Sequence, residues 1–189
     1  MRILVLNGSA RKNGTVANLL KEIANGASNK YEVEWIDVHE LKIRPCTACM
    51  KCRTDRECIL PQDDGHVTGR KIRDADGLIV GTPTHWGNMS AQLKLLFDRN
   101  VPIFMGEKPN GMPFQRQKGK PAVIVTACTT PWPFNFIAGQ SRGAIRAVNE
   151  VLHYGGYKLL CKIVKSGTKV KPDISKNLLR KANILGSKF

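Results

Sequence analysis

The sequence predicts an α/β domain in which helices cover both faces of a parallel sheet. Short apolar runs, typical of buried strands, alternate along the chain with segments whose apolar residues recur at helical spacing. Most of these strand-like runs are apolar without interruption, as expected where a sheet is buried on both faces. The 189 residues contain no repeat and no obvious linker, which predicts a single domain over residues 1–189.

Five strands and five helices account for most of the chain. The strands are predicted over 2–7, 31–38, 77–83, 121–128 and 157–164. The helices are predicted over 15–27, 67–75, 89–98, 139–154 and 173–185. A cysteine-rich segment (44–66) and a Pro/Gly-rich segment (100–120) are then insertions. Ligands of open parallel sheets bind at the carboxyl ends of the strands, so the loops after Asn7, Gly81 and Thr126 are the first candidates for a site.

The loop after the first strand, "NGSARKNGT" (7–15), combines hydroxyls, positive charge and the start of a helix. A helix N-terminus with free N–H groups binds anions, so this loop predicts a phosphate site. Neither a Walker A loop nor the G-x-G-x-x-G dinucleotide pattern is present. The alternative is an ordinary polar loop between a strand and a helix.

The loop after the third strand begins "TPTHWGNMS" (82–90) and places His85 and Trp86 at the same edge of the sheet. A flat indole opposite a phosphate site suits a planar ring, and the backbone of Gly87 and Asn88 could contact the edge of such a ring. A partly buried aromatic anchor is the alternative. At the end of the following helix, Asp98–Arg99 is expected to be an ordinary polar pair.

Four of the six cysteines lie within one short segment, with the spacing C-x2-C-x2-C-x5-C from Cys46 to Cys58. A compact run of this kind typically holds a cubane iron–sulfur cluster. Zinc more often uses two C-x2-C pairs with a longer spacer, and disulfides are disfavoured in the cytoplasm. Zinc and a segment without metal stay open as alternatives. Cys128 and Cys161 lie in predicted strands and are expected to be core thiols.

The charge is strongly positive, with 30 Lys+Arg against 15 Asp+Glu. Between Lys162 and Phe189 there are eight basic residues and one acid, Asp173. This favours an anionic partner, although a simply solvated basic surface is the alternative. No nucleic-acid-binding motif accompanies the charge, so nucleic acid is not favoured. The apolar run before Asn7 is too short for a signal peptide and no stretch could span a bilayer, so we expect a cytoplasmic protein without membrane contact.

Together, "GSARKNGT", "TPTHWGNMSAQLK" and the intervening cysteine run resemble the flavodoxin-like NAD(P)H-dependent FMN reductase superfamily. Within it, the chain is most similar to the iron–sulfur flavoproteins of anaerobic archaea and bacteria. The resemblance covers the first hundred residues well and the remainder by strand order. It implies a five-stranded parallel sheet of order 2-1-3-4-5 with helices on both faces, a cysteine-rich loop insertion, and noncovalently bound FMN.

The resemblance also implies roles for particular residues. The FMN phosphate would be held by Ser9, Arg11, Asn13, Gly14, Thr15 and Val16. The isoalloxazine ring would be lined by Pro83, Thr84, His85, Trp86, Gly87 and Asn88. A [4Fe–4S] cluster would be held by Cys46, Cys49, Cys52 and Cys58. The loop 126–136 is expected to complete the flavin pocket.

The function implied is electron transfer from an acidic donor protein such as ferredoxin, through the cluster, to FMN and an acceptor. NAD(P)H is a further partner that the resemblance implies, and a homodimer or homotetramer is expected. One alternative is an NAD(P)H-dependent FMN or quinone reductase without a cluster. The other is a basic flavodoxin-like binding module without turnover.

Overall fold

A computed structural model describes all 189 residues, Met1–Phe189. Its strands are β1 Arg2–Asn7, β2 Glu32–Asp37, β3 Gly77–Pro83, β4 Met105–Glu107, β5 Pro113–Gln115, β6 Pro121–Ala127 and β7 Lys158–Lys165. Five of them form a parallel sheet in the order β2-β1-β3-β6-β7. Counted without the short β4–β5 hairpin, this is the order 2-1-3-4-5, so the predicted flavodoxin-like sheet is confirmed.

The helices are α1 Thr15–Ser28, α2 Cys52–Asp55, α3 Asp64–Asp74, α4 Ala91–Arg99, α5 Val101–Phe104, α6 Phe134–Ile137, α7 Gln140–Gly155 and α8 Lys176–Gly186. A 3₁₀ turn at Val38–Glu40 follows β2. The five predicted helices are confirmed, each end within three residues of its predicted position. Helix α3 begins three residues earlier than predicted because Asp63 caps it, accepting the Gly65 N–H at 3.0 Å.

Two apolar clusters cover the two faces of the sheet. Successive side chains of a strand point to opposite faces, so Leu4 and Leu6 belong to one cluster and Ile3 and Val5 to the other. The first cluster lies under α3, α4 and α7, and the second lies under α1 and α8. No helix of the structure is both long enough and apolar enough to cross a membrane.

Helices α1 and α8 touch through their backbones at two glycines. A Cβ atom at Gly26 would collide with the Asn183 carbonyl, and one at Gly186 would collide with the Ile23 carbonyl. Glycine therefore allows a close approach that no other residue would permit. This contact brings the segment before α8 to the carboxyl edge of the sheet.

Two details differ from the sequence-based expectations. Asp98 pairs with Lys94, but Arg99 is 3% exposed and pairs with Asp63, so the predicted Asp98–Arg99 pair is wrong. Cys128 is buried as expected, whereas Cys161 is only half-buried because β7 is an edge strand. The segment 100–120, predicted only as an insertion, forms α5 and the β4–β5 hairpin.

Candidate functional site

A cleft of about 1150 Å³ opens at the carboxyl ends of β1, β3 and β6. Its size suits a cofactor or a ligand of similar dimensions. Nine of the twelve residues predicted to bind a cofactor line it: Ser9, Arg11, Asn13, Gly14, Thr15, Val16, Pro83, Thr84 and His85. The cleft therefore brings together the first and third strand loops at the predicted edge of the sheet.

The loop after β1 is organised around the buried side chain of Asn7. Its amide Nδ2 donates to Asp37 Oδ1 at 2.7 Å, and its Oδ1 accepts the Ser9 N–H at 3.1 Å. Ser9 Oγ in turn accepts the Arg11 N–H at 3.2 Å. Burial raises the pKa of Asp37, but hydrogen bonds from Asn7 and Trp35 outweigh burial and hold that pKa below its usual value. A charged Asp37 thus fixes the loop.

The N-terminus of α1 faces this cleft without a side-chain cap. Gly14 precedes the helix in an extended conformation, and the first turn contains no acidic residue. The first N–H groups of a helix have no partner within it and carry the positive end of the helix dipole. With Arg11 and Lys21 also lining the cleft, the loop fits a phosphate group.

The loop after β3 forms a tight turn between His85 and Asn88. The two residues exchange backbone hydrogen bonds, both of 2.9 Å, and the central residues have positive φ (52° at Trp86, 71° at Gly87). Trp86 is fully exposed at the tip of the turn and does not line the cleft. Gly87 and Asn88 line a second cavity, of about 540 Å³, between α4 and α7. The predicted contact of these three residues with a flavin ring stays a prediction.

Helix α7 supports the same turn through its backbone. A Cβ atom at Gly143 would collide with the Gly87 carbonyl, so this position requires glycine. The sequence alone does not single out Gly143, since a glycine inside a helix carries no sign of what it touches.

Two further segments complete the cleft. Ala127 at the end of β6 and the two residues after it, Cys128 and Thr129, line the cleft, as expected for the loop after the fourth strand of the main sheet. Residues 168–179 contribute a second wall that the sequence did not predict, formed by Thr168, Pro172, Asp173, Ile174 and Leu179. The hydroxyl of Thr168 donates to the Cys128 carbonyl at 3.2 Å, which joins the two segments.

The cysteine loop, defined here as residues 41–62, leaves the sheet at the same edge as the cleft. Apart from the single turn of α2, it has no regular structure and is mostly exposed. Three of its residues other than glycine are left-handed: Ala48, Met50 and Arg56, with φ of 53°, 62° and 65°. Such residues cost about 1–3 kcal/mol each and concentrate at sites that clamp a ligand.

The four cysteines of this loop are unbridged. Burial, and then the charges on Cys58, Cys46 and Cys49, raise the pKa of Cys52. The Ala48 N–H donates to Cys46 Sγ at 3.4 Å. No three His, Cys, Asp or Glu side chains are already arranged as a metal site, so the sulfurs would have to converge on a metal. Four thiolates are a donor set that suits an iron–sulfur cluster, or zinc.

Two acids at the start of α3 anchor the beginning of the cysteine loop. Asp63 accepts the Arg44 N–H at 3.0 Å, and Asp64 accepts the Lys42 N–H at 2.7 Å. Burial raises the pKa of Asp63, but hydrogen bonds from Arg44, Arg99 and His66 outweigh it and hold that pKa well below its usual value. Asp63 is therefore a carboxylate that binds backbone and guanidinium together.

Comparisons with known proteins agree with this geometry. The sequence profile of the NADPH-dependent FMN reductase family matches residues 1–160. An iron–sulfur flavoprotein of Methanocaldococcus jannaschii is 32% identical over 165 residues, 82% of this chain and 81% of that protein. Another, from Archaeoglobus fulgidus, is 28% identical over 193 residues, 100% of this chain and 79% of that protein. Among solved structures, an NAD(P)H:quinone oxidoreductase from Methanothermobacter marburgensis superposes with a TM-score of 0.78 at 19% identity, covering 99% and 98% of the two chains.

A parallel sheet with an anion-binding loop after its first strand and a second ligand loop after its third defines a flavodoxin-like protein. The chain belongs to the NADPH-dependent FMN reductase family. It is therefore a flavin-dependent oxidoreductase, as the sequence resemblance implied. Family membership also argues against the binding module without turnover.

Proposed function

We propose that this chain is an iron–sulfur flavoprotein that binds FMN in the cleft and a [4Fe–4S] cluster at the cysteine loop. Electrons would pass from a donor protein through the cluster to FMN and then to an acceptor. The two bound groups supply the redox chemistry, and the protein binds and orients them. The observation that carries the proposal is the cysteine loop itself, in which four free thiols share one mostly exposed segment. Three non-glycine residues of this loop adopt the left-handed backbone conformation.

For FMN, the protein's part is to hold the phosphate and the ring at fixed positions. The α1 N-terminus and Arg11 would bind the phosphate, with the hydroxyls of Ser9 and Thr15 as further partners. Pro83, Thr84 and His85 would line the ring, and the turn at Trp86 would contact it from outside the cleft. Burial raises the pKa of the Cys128 thiol, so this cleft residue stays protonated at neutral pH.

For the cluster, Cys46, Cys49, Cys52 and Cys58 would each bind one iron. Four basic residues of the loop, Arg44, Lys51, Arg53 and Arg56, are exposed around them. Positive charge near an anionic cluster stabilises it, but exposed cations such as these are screened by solvent and salt, so the effect of any one of them is small.

Absorbance of the anaerobically purified protein, with iron and sulfide analysis, tests the proposal. A broad shoulder beside the flavin bands, together with bound iron and sulfide, is the expected result. Flavin bands without iron or sulfide would instead establish the second candidate, an NAD(P)H-dependent FMN or quinone reductase without a cluster. That candidate is favoured by the absence of an already arranged metal site.

The proposed donor is an acidic protein such as a ferredoxin. None of the eight basic residues between Lys162 and Phe189 forms a salt bridge, and all but Lys165 are exposed. Unpaired charge of one sign steers an oppositely charged partner and is screened beyond about 10 Å at 0.1 M salt. Reduction by a ferredoxin, followed by stopped flow, should therefore slow steeply as salt rises. Rates that stay flat would remove this surface from the reaction.

We also propose a homodimer or homotetramer. Exposed large apolar side chains cluster in one short segment, where Trp132, Phe134, Phe136 and Ile137 are each more than half exposed. Contiguous apolar surface of this kind marks protein contacts. Light scattering after size-exclusion chromatography is expected to give a multiple of the 21.0 kDa chain mass. A monomer at micromolar concentration would contradict the proposal.

A further inference from the structure

A buried ion pair joins the start of α3 to the end of α4. The side chains of Asp63 and Arg99 are 9% and 1% exposed, and Arg99 donates to both carboxylate oxygens, at 2.8 and 3.3 Å. Replacing both partners of a buried pair with apolar residues is often neutral or stabilising, so such pairs contribute little net stability. What distinguishes this pair is its position beside the cysteine loop.

The pair binds the beginning of the loop through the backbone of Arg44. Asp63 accepts the Arg44 N–H at 3.0 Å, and the Arg99 guanidinium donates to the Arg44 carbonyl. Both polar backbone groups of a residue two positions before Cys46 are therefore bonded to the pair. This part of the loop is otherwise exposed and irregular.

The end of the loop is held by the same group of residues. The Cys58 carbonyl lies 3.1 Å from His66 Nε2, and the Asp63 N–H lies 3.2 Å from His66 Nδ1. A proton on Nε2 lets His66 donate to the Cys58 carbonyl, while Nδ1 also lies 3.0 Å from Asp63 Oδ1. Cys58 and Arg99 also line one small cavity. One buried arginine therefore lies next to both the start of the loop and its last cysteine.

Arg99 also carries a donor with no partner. Its Nε is buried and makes no hydrogen bond. A buried unsatisfied donor costs about 1–3 kcal/mol, and such a group calls for a missing acceptor. A small cavity of about 50 Å³ is lined by Cys58, His66 and Arg99. An anionic sulfur ligated at Cys58 would supply an acceptor next to this guanidinium.

We propose that Arg99, oriented by Asp63, is a positioning residue of the iron–sulfur centre: it closes the cysteine loop at both ends and places a buried positive charge beside the Cys58 sulfur. The proposal rests on the proposed function, because it requires that the loop binds a cluster. Hydrogen bonds to sulfur and local charge set the potentials of such clusters. One-electron reduction adds one negative charge to the loop. The buried pair is neutral overall, so the stabilisation comes from its orientation: Arg99 lines the cavity beside Cys58, whereas Asp63 does not.

The experiment uses the full chain with FMN bound, reconstituted anaerobically with iron and sulfide. Three variants are compared with wild type. Arg99→Lys keeps the charge, and the double variant Asp63→Asn/Arg99→Gln removes both buried charges but keeps hydrogen-bonding groups. Arg53→Gln is the control. Arg53 is adjacent to Cys52, but its side chain is 53% exposed and pairs with Glu107. FMN content reports folding, iron and sulfide report loading, and electron paramagnetic resonance during a redox titration reports the cluster's midpoint potential.

The double variant should favour the oxidised cluster by about tenfold at fixed potential, a fall of about 59 mV for one electron. Arg99→Lys, which keeps the charge, should show a much smaller fall in midpoint potential than the double variant. Arg53→Gln should show little or no fall. Loss of iron with FMN retained in the double variant would equally support the closing role. A potential and iron content unchanged in the double variant, or an equal shift in Arg53→Gln, would overturn the inference alone. Wild-type protein that takes up no iron and sulfide would overturn both this inference and the proposed function.

Discussion

Replacing Trp86 with glycine should stabilise the protein without FMN and weaken its affinity for FMN. Trp86 has φ of 52° and is fully exposed. The left-handed conformation costs an L-residue about 1–2 kcal/mol, and glycine relieves that cost. Glycine also loses about 0.5–1 kcal/mol through greater freedom in the unfolded chain. The net gain should be about 0.5–1 kcal/mol, or a rise in Tm of about 1–4 °C for a chain of this size.

The affinity should change in the opposite direction. An aromatic contact contributes about 0.5–1.5 kcal/mol beyond the area it buries, so its loss should raise the Kd for FMN about two- to tenfold. Fluorescence titration of the apoprotein measures the affinity, and calorimetric melting measures the stability. Trp86→Phe is the matched control, because it keeps both the ring and the strained backbone and should change neither quantity by much.

Unchanged FMN affinity in Trp86→Gly would refute the assignment of Trp86 to the flavin. If the same variant lost self-association, Trp86 would belong to a subunit interface instead. A loss of stability would refute the argument from backbone strain, whatever happened to the affinity.

Three further predictions follow from the same contacts. Ser9→Ala combined with Thr15→Ala should weaken FMN binding, because hydrogen bonds to a charged group are worth about 1.5–3 kcal/mol each; equal affinity in a titration would exclude both hydroxyls. Cys49→Ser should lose most of its iron and keep FMN, with Cys161→Ser as the control; iron analysis showing equal content in the two variants would argue against the ligand set. Asp37→Asn should make the free energy of unfolding depend less on pH in acid. The Asp37 pKa is lowered on folding, so its contribution to stability is present above the unfolded-state pKa of about 3.9 and is lost as pH falls through the folded-state pKa. Urea unfolding at several pH values between about 7 and 3 measures this, and parallel curves for variant and wild type would contradict it.

The sheet and its ligand edge could be predicted because they depend on local pattern. Strands buried on both faces must be apolar without interruption, and the residues 2–7 and 77–83 satisfy that requirement. Strand order then places the loops that follow them side by side. Nine predicted cofactor residues consequently line one cleft.

What could not be predicted depends on partners distant in sequence. Arginine is a residue type that is usually exposed, and the burial of Arg99 depends on its pairing with Asp63, 36 positions away. The wall formed by Thr168 and its neighbours depends on the crossing of α1 and α8 at Gly26 and Gly186. In the cysteine loop the thiols were visible, but its left-handed residues were not, because no glycine marks them.

The contact between Gly143 and the Gly87 carbonyl makes the turn at Trp86 and helix α7 move as one piece. Neither partner has a side chain that could rotate away, so a shift of the helix has to be transmitted to the turn. The same helix lines the second cavity, together with Gly87 and Asn88. A small molecule that filled this cavity would therefore push on the turn from behind. With FMN bound against the turn as proposed, its absorbance would change on such binding and would report on a cavity next to its own.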